Sequence, residues 1–233
     1  MNEGNPAAAR TPPDAIEAVS GRRSVRRFLP TAVPRSTVEA ILVAASRAPS
    51  GTNSQPWHVH AVAGEARQRL SAAVTAAAKA GRRKDEYPYS PEPIPEPYLA
   101  RRRKVGYDLY KLYGIQRSDY AARKEAYLRN FEFFGAPVGL FFTMDRALLF
   151  GSWLDMGMFM QNVMIVARGH GLETCPQAAW CEYPDVIRPL LQIPQERILV
   201  SGMSLGFEER AAPVNALRTE REPLGGFATF EGF

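Results

Sequence analysis

The run Ala136-Pro137-Val138-Gly139-Leu140-Phe141-Phe142-Thr143-Met144 is apolar almost throughout and is closed by Asp145. A half-exposed strand would read polar at every second position, so a run without alternation predicts a central strand buried on both faces. The rest of the chain must then cover it from two sides. Ile198 to Gly206 reads as a second core strand, and its small residues Ser201, Gly202, Ser204 and Gly206 imply that something approaches the backbone closely. Short strands are also expected in the β-branched run Trp57 to Val62 and from Leu172 to Ala179. With 233 residues and 45% hydrophobic content, one large domain or two small ones could bury a sizeable core.

Helical signals fall between these runs. Thr11 is expected to cap a short helix that begins with Pro12-Pro13-Asp14, turns Ile16 and Val19 inward and ends at Gly21. Ser36-Thr37-Val38-Glu39 reads as a capping box opening a helix with Val38, Ile41, Leu42 and Ala45 on its inner side, stopped by Pro49. Gly64 to Ala80 is an alanine-rich helix with Leu70 and Val74 inward, and Pro184 and Pro189 bracket a brief one with Val186, Ile187 and Leu190. Leu154 to Val166 is apolar nearly all round, so it must be buried, either within the domain or by a second subunit.

Residues 1–12 read as a disordered tail, which leaves 13–233 as the folded domain. Within it, residues 82–130 form an excursion from the main body. Its first part holds five prolines and favours extended, mobile backbone; Tyr98 to Tyr113 and Ser118 to Phe134 then read as helices joined at Gly114. The excursion is either a lid or a solvated helical hairpin. Tyr98, Tyr107, Tyr110, Tyr113 and Tyr120 could supply flat walls for an aromatic substrate. Residues 211–233 read as an extended tail that wraps over a neighbouring surface.

The formal charge of +5 raises nucleic acid as a partner. The basic residues nevertheless lie in separate knots, without the interleaved aromatics of a single-strand platform, and nucleic-acid binding is not expected. Cys175 and Cys181 fit neither a disulfide module nor a common zinc spacing, and His58, His60 and His170 make no ligand set, so no metal is assigned. No secretory signal or membrane span is read, and a cytoplasmic protein without membrane partners is expected.

Two polar clusters remain. Arg22-Arg23-Ser24-Val25-Arg26-Arg27-Phe28 follows a helix end as an extended segment, in which Ser24 and Arg26 face one side and Val25 and Arg27 the other, and it needs an anionic partner. Pro49-Ser50-Gly51-Thr52-Asn53-Ser54-Gln55-Pro56-Trp57 cannot continue as helix, and its amides and hydroxyls suit the polar edge of a heterocycle. Pro176-Gln177-Ala178 is a further candidate wall. No serine, cysteine or histidine has the partners of a nucleophile, and no carboxylate pair has an acid/base setting. A cofactor that carries its own reactivity would explain that absence.

These clusters, together with Ala136-Pro137, the Asp155-to-Val166 helix, and Gly202 to Gly206 followed by Arg221, resemble the FMN-dependent nitroreductase family along nearly the whole chain after residue 12. The resemblance implies an α+β fold with a mainly antiparallel central sheet flanked by helices, in an intertwined homodimer that binds FMN at the subunit interface. It also implies NADH or NADPH as electron donor and nitroaromatic or related electron-poor aromatic substrates; similar sites serve reductive dehalogenation or breakdown of the flavin itself. Carried over by position, Arg22, Arg23 and Ser24 would contact the FMN phosphate and ribityl chain, joined by Arg221, with Arg26 near the N1/O2 edge of the ring. Pro49, Ser50, Asn53 and Gln55 would come from the central loop, the first two reaching the flavin of the other subunit. Pro176, Gln177 and Ala178 would line the N5 side, and Gly206 belongs to the same set. The chain departs from some members by carrying Gln177 in place of an acidic residue and Thr219 in place of a second basic one.

Overall fold

The computed structural model describes residues 12–233. The expected cap Thr11 and, apart from Pro12, the expected disordered tail lie outside them.

Four strands, β1 (His58–Ala63), β2 (Val138–Asp145), β3 (Glu173–Gln177) and β4 (Arg197–Gly206), form an antiparallel sheet in the order β1-β2-β4-β3. Every β2 residue from Val138 to Met144 is buried, because alternate side chains enter two different cores. Phe141 packs with Val25, Leu70, Val74, Phe131 and Trp180, whereas Leu140, Phe142 and Met144 pack with Ile41, Met156, Phe159 and Val163. The fold is therefore α+β, with a sheet between two helical layers.

The first layer holds α3 (Gly64–Lys79), the 3-10 stretch Arg129–Gly135 and α7 (Pro184–Leu191); the second holds α2 (Arg35–Ala45) and α6 (Phe150–Gly169). α1 (Ala15–Gly21) lies against the end of α6, where Arg168 donates to the carbonyls of Glu17 and Ala18 at 3.2 and 3.0 Å. The excursion contains α4 (Tyr98–Leu112) and α5 (Tyr120–Leu128), and Gly114, at φ +69°, lies in the joint between them as expected. The small residues of the sheet make room for rings. A Cβ on Gly202 would lie 2.3 Å from Trp180 Cδ1, and one on Gly139 would lie 2.2 Å from Phe133 Cε1.

Helix starts differ from the sequence reading. α1 is capped by Asp14, whose Oδ1 accepts from Glu17 N at 2.8 Å. Its buried position is Ala18; Ile16 and Val19 are 78% and 56% exposed, because only the Ala18 side of this short helix meets α6. α2 forms no capping box. The carbonyl of Pro34 already accepts from Thr37 N at 3.0 Å, so the helix starts ahead of Ser36, and Glu39 pairs with Arg35 at 2.7 Å. On α7, Leu190 is 46% exposed while Arg188 is buried. α6 is buried along one face only, through Met156, Phe159, Val163 and Met164.

Candidate functional site

The arginine-rich segment lies as a strap beside β3. Ser24 bridges Thr174 in parallel, Val25 N donates to Thr174 O at 3.1 Å, and Phe28 bridges Glu208. Extended backbone sends successive side chains to opposite sides. Arg23 and Arg27 turn to Glu208 and Glu209, and Arg23 Nε also reaches the Asn215 carbonyl at 3.3 Å. The guanidinium of Arg23 is thus paired within the fold. Asn215, which the sequence reading passed over, accepts from Arg26 N and donates to the Arg27 carbonyl, each at 2.8 Å, and so fastens the tail to the strap. Its signal was a polar residue beside Val214 in an otherwise unpatterned tail.

Arg22, Ser24 and Arg26 remain on the other side. Burial, then the nearby charge of Arg221, holds Arg22 below the usual guanidinium range against the opposing pull of Glu173. Arg26 donates to the Ser24 carbonyl at 3.2 Å. Both arginines and Ser24 act on the Cys175 thiol, which burial pushes up. Cys181 is likewise raised, to about 12, so neither thiol is poised as a nucleophile. Arg221 bonds its own tail, with Thr219 Oγ1 at 2.7 Å. Among the described residues, Arg22 makes no ion pair.

At the end of β3, Gln177 is buried. Its Nε2 donates to the Asn130 carbonyl at 2.8 Å and its Oε1 accepts from Ser204 Oγ at 2.6 Å. The pleat turns the Gln177 side chain into the core. Pro176 and Ala178 instead help to line a cavity of about 700 Å³ with Tyr87, Trp153 and Met156. Gly206 is closely packed; a Cβ there would meet Pro137 Cδ at 2.6 Å.

The central loop is built around a 3-10 turn, Gly51–Asn53. Thr52, Asn53 and Gln55 have φ of 51°, 61° and 49°, a left-handed backbone that non-glycine residues adopt at a cost and that points to a functional constraint. Ser50 Oγ accepts from Gln55 N at 3.0 Å, and Gln55 Nε2 donates to the Asn53 carbonyl at 3.3 Å. The Asp155 carboxylate of α6 accepts from Gly51 N at 3.2 Å, and Trp57 stacks on Phe159 at 4.7 Å. Asp155 was visible in the sequence as the single charge between Leu154 and Val166. Pro49 and residues 51–55 are exposed, and among the described residues no hydrogen bond or ion pair joins the loop to the strap.

The tyrosines expected as substrate walls lie under arginines. Arg101 lies over Tyr98, Arg117 over Tyr107, Arg123 over both Tyr110 and Tyr120, and Arg129 over Tyr113, at 5.0–5.8 Å. Cation–π pairing covers one face of each ring. The aromatic walls of the cavity are Tyr87, Tyr89, Phe150 and Trp153, two of them from the proline-rich stretch read as mobile.

Residues 19–207 match the family model described as the Nitroreductase family. The chain is 41% identical over 220 residues to a 4-nitrobenzoate reductase of Pseudomonas putida, covering 94% of this chain and 96% of that one. It is 40% identical over 222 residues to a nitrobenzene nitroreductase of Ectopseudomonas oleovorans, covering 94% and 98%. In structure it is similar to the FMN and NADPH-dependent nitroreductase NfnB of Sphigopyxis sp. strain HMH, with a TM-score of 0.92, 39% identity, and 95% and 100% of the two chains covered.

Proposed function

The chain belongs to the nitroreductase family, and from that premise we infer that it is an FMN-dependent oxidoreductase that takes electrons from NADH or NADPH and reduces nitroaromatic compounds. The observation that carries the cofactor reading is Arg22. It lies on the open side of the strap without an ion pair among the described residues, its charge opposed by burial and by Arg221, and a phosphate beside it would offset that cost. When bound, FMN supplies the redox chemistry, accepting a hydride from the nicotinamide and returning electrons to the nitro group.

The residues of this chain bind and orient. Arg22 and Arg221 would hold the phosphate, and Ser24 and Arg26 the polar side of the cofactor, with Arg26 giving a fixed positive charge to the ring edge that becomes electron-rich. Gln177, tied to Asn130 and Ser204, orients the end of β3 so that Pro176 and Ala178 form a wall. Pro49, Ser50, Asn53 and Gln55 would complete the site of a second copy in a homodimer, since their loop is exposed and fixed to α6. The 700 Å³ cavity beside Pro176 would admit a small aromatic ring.

Two variants test the assignment. Arg26→Ala is expected to retain FMN but to lower its reduction potential and slow reduction by NAD(P)H, whereas Arg221→Ala mainly weakens FMN binding and recovers activity in excess FMN. Unchanged potential in Arg26→Ala would show that the arginine faces elsewhere. A purified protein without flavin absorbance even after FMN is added would overturn the whole reading.

A further inference from the structure

The root of the excursion is held by a buried charge that the reaction does not use. The Glu86 side chain is only 2% exposed, and its Oε1 accepts from both Arg188 and Arg146. Arg188, whose side chain is 6% exposed, lies 2.7 Å from that oxygen and also donates to the carbonyls of Pro194 and Arg197 at 2.9 and 2.7 Å. Backbone bonds run in parallel with this clamp, from Lys84 N to Glu182 O at 2.9 Å and from Glu86 N to Cys181 O at 2.8 Å. A carboxylate so desolvated is held in place by its partners, because losing Arg188 would leave it paired only with the more exposed Arg146.

The residues that follow Glu86 face the cavity. Tyr87 donates its hydroxyl to the Val200 carbonyl at 2.6 Å and meets Trp153 edge-on at 5.0 Å, and Tyr87, Pro88 and Tyr89 all line the space shared with Pro176 and Ala178. We propose that Glu86 and Arg188 are positioning residues for substrate choice: their ion pair fixes the 86–89 segment as one wall of the cavity and so sets which aromatic rings fit. The proposal rests on the nitroaromatic reading of that cavity. A wall held by charge against the body is rigid, and a rigid wall discriminates by size where a loose one accommodates.

The test uses the full-length, FMN-loaded protein with Glu86→Gln, Arg188→Met and Arg188→Lys. Chymotryptic cleavage after Tyr89 reports detachment of the wall, and kcat/KM for nitrobenzene against a bulky ring-substituted nitroaromatic reports selection. Glu86→Gln and Arg188→Met are expected to be cut faster and to shift the ratio of the two kcat/KM values by about tenfold toward the bulky substrate. Arg188→Lys, which keeps the charge, recovers part of that ratio, and flavin content is unchanged in all three. Faster cleavage with an unchanged ratio overturns the positioning role alone, as does cleavage no faster than in the parent. If Glu86→Gln does not fold, the contrast between Arg188→Met and Arg188→Lys decides the same question. A parent protein that binds no FMN overturns this proposal together with the activity reading.

Discussion

At the scale of single residues, His58 and His60 lie two apart on the edge strand β1. Burial, then the charge of Arg197, lowers both pKa values below the usual 6.5; Asp145 opposes the shift at His58, and His58 adds to it at His60. The folded protein thus takes up these protons less readily than the unfolded chain. Their contribution to stability is fully present above about 6.5 and is lost as pH falls through the lowered values. Thermal melts between pH 7.5 and 5 should show a Tm falling by a few degrees on this account, and a His58→Gln/His60→Gln variant should flatten that part of the curve. An identical slope in the variant would place the pH dependence elsewhere. The alternation behind the strap was legible in the same way as that of β1, because a period of two is written in the sequence. Which side of the strap was already occupied was not: Arg23 finds Glu208 across 185 positions, and no local pattern records such a pairing.

Among the elements, β2 and β4 were the most legible, since burial on both faces leaves a composition that little else explains. The small residues of β4 announced a close neighbour without naming it. That neighbour is Trp180, which is fully buried and has no space to retreat into when Gly202 gains a methyl group. Gly202→Ala is therefore expected to destabilise by about 1–3 kcal/mol through overpacking. Combined with Trp180→Leu, it should cost less than the sum of the two single changes, and additive losses in denaturant titrations would show that the two sites do not press on each other. Helix starts were less legible. Competing residues within one turn, Asp14 against Thr11 and Pro34 against Ser36, differ by less free energy than tertiary docking supplies. The arginine partners of the α4–α5 tyrosines were not legible, because a tyrosine looks the same in sequence whether its face meets a substrate or an arginine.

At the scale of the molecule, the apolar surface left uncovered is larger than a lone chain of this size tolerates well. Leu149, Phe150 and Leu154, at the start of α6, are 78%, 87% and 71% exposed. Phe227, Phe230 and Phe233 in the tail are 69%, 61% and 105% exposed. Each would contribute about 1.5–3 kcal/mol if buried, so covering both groups is a driving force that a second copy could satisfy. The tail is already guided along the surface, with Glu222 paired to Arg101 and Glu220 to Lys104, yet its phenylalanines stay exposed among the described residues. The exposed 49–55 loop, held to α6 by Asp155, sits on the same element as the uncovered Phe150 and Leu154. One association could therefore bury the apolar groups and bring a loop from each chain to the other's strap. Sedimentation at micromolar concentration is expected to give a dimer in which FMN content tracks the dimer fraction. Replacing Phe227, Phe230 and Phe233 together with serine should shift it toward monomer and lower FMN occupancy while leaving the helix content intact. A stable monomer that holds FMN as tightly as the parent would show that the site is complete within one chain.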